Sequence, residues 1–380
     1  MLLINEKFSS EKEIFYPGFN LTKFCVSLKF KVFCLEVDMV LKVGIISAGS
    51  WGTALSGMLA EKQYETVIWA REAEIVESIN SEHENKLFLP GIKLPESLKA
   101  VADIKEAVIG KNLVVIATPA QHIRKSIEQI SSIISEKTFI VLASKGIENS
   151  TLKMMYQIAE EIFPPALYKN IFVISGPTFA RELAMKMPTC AVVAGKNSED
   201  IGKIQNFFNS PYMRIYTSRD VVGVELGGSL KNVFAVAIGV LEGLKMGKNT
   251  QAAVITRSIA EMTRLVIAMG GNPRTIAGLS GVGDLVLTCT GDLSRNRQVG
   301  IRLGRGEKIK DILDSMIMVA EGVPTTASVH DLAAKMNVEM PITETLYNVL
   351  YNGAGIKESI KTLMSRSLKD ELLSYGGDND

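Results

Sequence analysis

Histidine is almost missing from this chain, with three in 380 residues. They are too few and too scattered to build a metal centre. Cysteine is scarce too. Cys25, Cys34, Cys190 and Cys289 form no close pair at metal-ligand spacing. No metal is expected, and a reduced, cytoplasmic compartment fits best. Neither sign of charge dominates: Lys and Arg total 42, Asp and Glu 41, for a formal net charge of +1. That balance gives no electrostatic basis for a nucleic-acid or anionic-membrane partner. The first 38 residues lack an apolar run long enough to span a bilayer, because Lys29 and Lys31 interrupt the most apolar stretch. Met1 to Glu13 carries both charge signs, unlike a secretory leader. Phe24, Val26, Leu28, Phe30 and Val32 alternate as an edge strand would; a loose tail is the plainer reading. Met39, just before the first convincing strand, reads as a candidate start.

Hydrophobic residues are plentiful, at 47%. A chain of this length usually divides its apolar residues between two cores. Val40 to Ile46, Thr66 to Trp69, Asn112 to Ala117, Thr138 to Ala143, Ile171 to Ser175 and Ala191 to Ala194 read as buried strands. Helical patterns lie between them, at Thr53 to Glu61, Ile123 to Ile134 and Leu152 to Ile162. Such alternation predicts an α/β domain with a parallel sheet covered on both faces. The pattern changes near Val222. Glu225 to Leu244, Gln251 to Met269, Ile309 to Met318, Pro324 to Lys335 and Ile342 to Tyr351 all read as helices. The expected division is an extension at 1–38, a dinucleotide-binding domain at 39–222, an all-α domain at 223–372 and a frayed tail at 373–380.

The first strand runs into Ser47-Ala48-Gly49-Ser50-Trp51-Gly52. A G-x-G-x-x-G turn bends tightly and brings backbone close to a dinucleotide diphosphate, which rests on the following helix N-terminus. Gly49 and Gly52 hold the second and third glycine positions, but serine holds the first, where a positive φ costs more. An ordinary strand–turn–helix is the rival reading. At the end of the second strand stand Arg71 and Glu72. An arginine there suits the 2′-phosphate of NADP, and a carboxylate suits the ribose of NAD. Arg71 places NADP(H) ahead of NAD(H); a solvated loop charge is its plain alternative. Lys145 follows a strand directly, at the edge where open α/β sheets bind ligands. Lys231 lies among Leu230, Val233 and Phe234 in an apolar helix. There it either snorkels to water or is buried with a depressed pKa that suits proton transfer, and the residues alone leave these even. Asp284 follows the glycine-rich Gly281-Val282-Gly283. Ser294-Arg295-Asn296 suits a small phosphate; in isolation it reads first as a capping serine beside a surface arginine.

Taken in order, these motifs resemble the bacterial NAD(P)-dependent glycerol-3-phosphate dehydrogenases. The match runs from about Val40 to Lys369. It includes Ala48 to Leu55, Phe88 to Gly91, Ser144 to Glu148, Ser175 to Ala180, Gly227 to Asn232, Gly281 to Leu285, Ser294 to Asn296 and Val319 to Gly322. The resemblance implies a Rossmann-type domain followed by an all-α domain like the C-terminal half of 6-phosphogluconate dehydrogenase, usually as a homodimer. It implies reduction of dihydroxyacetone phosphate to sn-glycerol 3-phosphate, a phospholipid precursor. Lys231 then resembles the proton donor and acceptor, Lys145 the lysine that polarises the carbonyl, and Asp284 the carboxylate that orients Lys231. Arg295 and Asn296 resemble the phosphate clamp, with Gly176, Thr178 and Ser294 nearby. Cofactor contacts carry over to Ser50, Trp51, Arg71, Phe88, Lys145, Ala180, Arg295, Val319 and Glu321. Ser47 and the N-terminal extension depart from the family pattern. Ketoacid reductases and β-hydroxyacid dehydrogenases share this architecture but act on carboxylates, whereas Asp284 and the Ser294 triplet favour a phosphate monoester. A nucleotide-sensing module would need neither lysine.

Overall fold

In a computed structural model, the structure describes residues 20–28, 31–368 and 370–371. Ten strands are β1 (Asn20–Leu28), β2 (Lys31–Met39), β3 (Lys42–Ile46), β4 (Glu65–Trp69), β5 (Lys99–Val101), β6 (Leu113–Ile116), β7 (Phe139–Leu142), β8 (Ile171–Ser175), β9 (Thr189–Gly195) and β10 (Met213–Ser218). The first two pair only with each other, antiparallel, and stand apart from the main sheet. Phe30 lies outside the described residues. The other eight form one sheet in the order β10-β9-β8-β7-β6-β3-β4-β5.

Apolar, β-branched runs form these strands because both faces of the sheet are covered. Every residue of β6 and β8 is buried. Neighbouring strands run parallel, as expected, except that β9 lies antiparallel to β8. The helices of this half are α1 (Ser50–Glu61), α2 (Ala73–Glu82), α3 (Ile123–Ile130), α4 (Met155–Ile162), α5 (Ala180–Ala184) and α6 (Ile201–Phe208). They divide the apolar residues into two cores, one on each face of the sheet. Neither β5 nor β10 was expected. Three residues are too few to show an alternation in β5. In β10 the buried Met213 and Ile215 alternate with exposed Arg214 and Tyr216, the signature of an edge strand covered on one face.

From Val221 onward the chain is helical: α7 (Val221–Gly243), α8 (Lys248–Ala268), α9 (Pro273–Ile276), α10 (Asp284–Thr290), α11 (Arg295–Gly304), α12 (Ile309–Asp314), α13 (Gly322–Lys335), α14 (Pro341–Tyr351) and α15 (Ile356–Met364). The glycine-rich Gly281 to Gly283 is not a break but part of a π-helical turn, Leu279–Gly283, that runs straight into α10. The axis of this half is α7, buried on nearly all sides. It is long and apolar enough to cross a membrane, yet its neighbours in the fold cover almost all of that stretch.

Two four-residue glycine spacings bring α7 and α11 into backbone contact. A Cβ at Gly300 would stand 2.0 Å from the Val236 carbonyl oxygen and 2.8 Å from the Gly239 Cα. One turn on, a Cβ at Gly304 would meet the Val240 carbonyl oxygen at 2.4 Å and the Gly243 Cα at 3.1 Å. Both helices therefore advance in the same direction along a seam with no side chains between them. That seam sets the N-terminus of α11 beside the middle of α7.

Candidate active site

Parallel strands end on the same edge of a sheet, so the loops after them gather there. The chain order reverses between β3 and β6, which opens a crevice beyond their carboxyl ends. The nucleotide turn leaves β3, Arg71 follows β4, Lys145 follows β7 and Gly176 follows β8. The helical half closes over this edge and brings Lys231 from α7 and Asp284 from the start of α10.

Three of these residues meet directly. Asp284 has no exposed surface. Its Oδ1 accepts from Lys231 Nζ at 2.5 Å and its Oδ2 from Lys145 Nζ at 2.7 Å. Lys145 also donates to the Gly176 carbonyl at 3.0 Å, as does the Thr178 hydroxyl at 3.2 Å. One carboxylate thus holds two ammonium groups, and the cluster carries a net positive charge. Lys231 does not snorkel. It is 7% exposed, because α7 is packed on nearly all sides. Burial lowers its pKa to about 8, against the opposing pull of Asp284.

Beside this cluster the triplet splits into different tasks. Ser294 caps α11, its hydroxyl accepting from the Arg297 N–H, as the plain reading held. Arg295 is exposed and makes no side-chain hydrogen bond or ion pair among the described residues. Asn296 is buried. Its amide donates to Asn232 Oδ1 at 2.8 Å and its carbonyl oxygen accepts from the Gly322 N–H at 2.8 Å. Arg297 is buried in a two-pronged contact with Glu242, at 2.9 and 2.7 Å, and a bond to Asp292. Of the two arginines at this helix start, only Arg295 is therefore available to an anion.

The nucleotide turn has the form its glycines predict. Gly49 precedes α1 with no side-chain cap, so the first-turn N–H groups face outward for an anion. The Trp51 indole N–H is buried with no hydrogen-bond partner among the described residues, and so is one carboxylate oxygen of Glu321. The other Glu321 oxygen accepts from the Ala120 N–H. These orphaned groups suit a polar, many-armed ligand such as a dinucleotide. Ser50 donates to the Phe88 carbonyl at 2.7 Å and contacts the Met318 sulfur at 3.2 Å. Ala180 begins α5 and packs on the core, while Val319 is half exposed beside Met318. Arg71 projects into solvent, its guanidinium paired with Glu72.

Ser47 adopts φ +90°, the left-handed region a first glycine would supply at no cost. For an L-residue that backbone costs about 1 kcal/mol. Ser47→Gly is expected to raise Tm slightly and to leave cofactor affinity unchanged or tighter, by titration calorimetry. Weaker binding would mean that the Ser47 side chain makes a contact of its own.

Sequence reasoning gave no role to Asn85, Asn232 or Thr288. Asn85 is fully buried. It donates to the Ala48 carbonyl and to Thr53 and accepts from the Phe88 N–H, so it ties the Phe88 loop to the nucleotide turn. Thr288 donates to the Asp284 carbonyl at 2.6 Å, with its hydroxyl 3.4 Å from Asp284 Oδ1. Its place one helical turn after Asp284 was a usable signal; for Asn85 there was none.

The sequence matches family models described as the N-terminus, at residues 42–201, and the C-terminus, at residues 220–361, of NAD-dependent glycerol-3-phosphate dehydrogenase. A glycerol-3-phosphate dehydrogenase [NAD(P)+] from Citrifermentans bemidjiense is 50% identical over 334 residues, 88% of this chain and 99% of that protein. A crystal structure of glycerol-3-phosphate dehydrogenase from Coxiella burnetii superposes with a TM-score of 0.82 at 36% identity, over 86% of this chain and 99% of that one. A ketopantoate reductase from Ralstonia eutropha reaches only 0.53 at 14% identity, over 84% of this chain and 100% of that one, a likeness of fold alone.

Proposed function

This chain belongs to the NAD-dependent glycerol-3-phosphate dehydrogenase family, and we propose that Lys231, Lys145 and Asp284 are its catalytic residues. The activity is the reversible reduction of dihydroxyacetone phosphate to sn-glycerol 3-phosphate with NADPH or NADH, a step toward glycerophospholipids. The observation that carries the assignment of residues is the single buried carboxylate with a lysine on each oxygen.

The ligand phosphate sits against Arg295, the cation at the start of α11 that makes no side-chain hydrogen bond or ion pair among the described residues, with Ser294, Asn296, Gly176 and Thr178 around it. The seam with α7 sets that anion site near Lys231, so the substrate carbonyl falls between the two ammonium groups. Lys145 polarises the carbonyl oxygen as a fixed positive charge. Lys231 gives its proton to that oxygen during reduction and takes it back during oxidation. Asp284 holds both lysines in place. Ser50, Trp51, Phe88, Lys145, Ala180, Arg295, Val319 and Glu321 hold the cofactor, and Arg71 faces its ribose end. When bound, the cofactor supplies or accepts the hydride. Residues 39–222 form the cofactor-binding domain and 223–372 the catalytic one, and the protein works as a homodimer.

The pH profile tests this reading. The reduction needs Lys231 as ammonium, so its rate falls as pH rises through about 8. The oxidation needs the neutral amine, so its rate rises through the same pH. Initial rates followed by nicotinamide absorbance, with NADPH and NADH in parallel, check both limbs and the preference assigned to Arg71. Reduction and oxidation limbs that bend at unrelated pH values would remove Lys231 from the proton transfer.

A further inference from the structure

Lys145 stands on a loop with no regular structure of its own, between β7 and α4. Yet its ammonium is placed on Asp284 Oδ2 and on the Gly176 carbonyl. The loop's rigidity comes from elsewhere. Near its start, Ser144 donates to the Thr118 carbonyl at 2.5 Å. The Gly146 carbonyl accepts from Ser229 on α7 at 3.1 Å. A Cβ at Gly146 would stand 2.5 Å from the Ala120 side chain, so the loop lies flat against the segment leading into α3. Beyond Gly146 two side chains from that same segment take hold. The Gln121 amide donates to the Ile147 carbonyl at 2.8 Å and accepts from the Asn149 N–H at 3.0 Å. Three residues later, on the same helical face, Arg124 meets Glu148 with Nε and Nη2, both at 2.9 Å.

Glu148 is only 5% exposed and also accepts from the Thr151 hydroxyl. Arg124 is steadied in turn by two bonds to Glu161. Two parallel N–H···O bonds fix orientation as well as distance, which a single contact would not. Their charge also holds the Glu148 carboxyl below its usual range, so the pair stays ionised through the working pH.

We propose that Glu148, gripped by Arg124 while Gln121 holds the backbone on either side of it, is a positioning residue that holds Lys145 against the substrate carbonyl. This rests on the role given to Lys145 above. Neither Glu148 nor Arg124 touches substrate; they act through the backbone of residues 145–149. A lysine ammonium on a four-carbon stem reaches many places, so its catalytic value depends on where its Cα is fixed.

A double-mutant cycle tests this. Glu148→Gln in the otherwise native enzyme is expected to lower kcat/KM for dihydroxyacetone phosphate about 10-fold or more, since displacements on the order of 1 Å carry effects of that size. In a Lys145→Ala background the same change is expected to cost less than about twofold, because sites acting as a unit are not additive. Equal losses in both backgrounds would mean general structural damage and overturn the inference, as would no loss in the native background. If Glu148→Gln gives no folded protein, Gln121→Ala removes the other two bonds to the loop and is read the same way. Full activity of Lys145→Ala by itself would overturn the role of Lys145, and the inference with it; that result is read from the single variant alone.

Discussion

Lys231→Met is expected to lower turnover by about three orders of magnitude, within the range general acid–base groups supply. Methionine keeps the unbranched stem and the volume but has no proton to give. The loss should fall on kcat, because Arg295 and the α11 N-terminus, the proposed site of the substrate phosphate, are untouched. Stability should not fall with it. Burying an ammonium costs several kcal/mol, of the order of 1–5, and Lys145 still pairs with Asp284 in the variant. Tm at or above the native value, with turnover nearly abolished, separates chemistry from folding. Partial recovery of the shorter Lys231→Ala variant by added primary amines would locate the missing proton at that side chain. Turnover in Lys231→Met within about tenfold of native, on a scale where such groups supply at least about 100-fold, would give the proton transfer to another residue.

Gly300→Val is expected to do the converse, damaging the fold first and catalysis through it. The added Cβ would start 2.0 Å from the Val236 carbonyl oxygen, an atom of the central helix that cannot turn aside. The seam must open by about 1 Å or more to relieve that contact, and overpacking of this kind costs about 3 kcal/mol. Several degrees of Tm should be lost in a thermal melt. The displaced element is α11, which carries Ser294, Arg295 and Asn296 at its first turn. KM for dihydroxyacetone phosphate should therefore rise more than KM for the cofactor. Gly306→Val, two residues beyond the end of α11 where a Cβ meets nothing within 4 Å, controls for loss of glycine as such, although its φ of +95° adds a strain of its own. A native melt and native KM values in Gly300→Val would show that the seam yields without consequence.

Part of this was legible in advance because one-dimensional patterns carry it. Strand runs such as NLVVIA and TFIVLA sit between glycine and polar breaks, and their burial on both sides makes them uniformly apolar. The resulting alternation with helices implied the sheet, and a parallel sheet puts every following loop on one edge. Lys145 and the nucleotide turn could be assigned to the site on that ground alone. The antiparallel β9 was not legible, since strand direction depends on the length and path of a connection and not on the strand's own residues. In Ser294-Arg295-Asn296 the capping serine and the surface arginine were legible, whereas the buried amide of Asn296 was not, because its partners Asn232 and Gly322 lie on other helices.

By itself the sequence determined that two halves exist, that one alternates strands with helices and opens on a glycine turn of the nucleotide type, and that the other carries a lysine, a carboxylate and an arginine of the kinds a phosphate-bearing substrate would need. It did not determine whether Lys231 reaches water. That was decided by the helices packed around α7, which bury its ammonium against Asp284. Nor did it show that Lys145 and Lys231, 86 residues apart in the chain, would share one carboxylate's two oxygens. Nor did it separate Arg295 from Arg297, of which the first makes no side-chain hydrogen bond or ion pair among the described residues and the second is locked to Glu242. In each case the side chain's chemistry is local but its protonation, partner and freedom depend on what lies across space. Periodicity records which face of an element is buried; it does not record what that face is buried against.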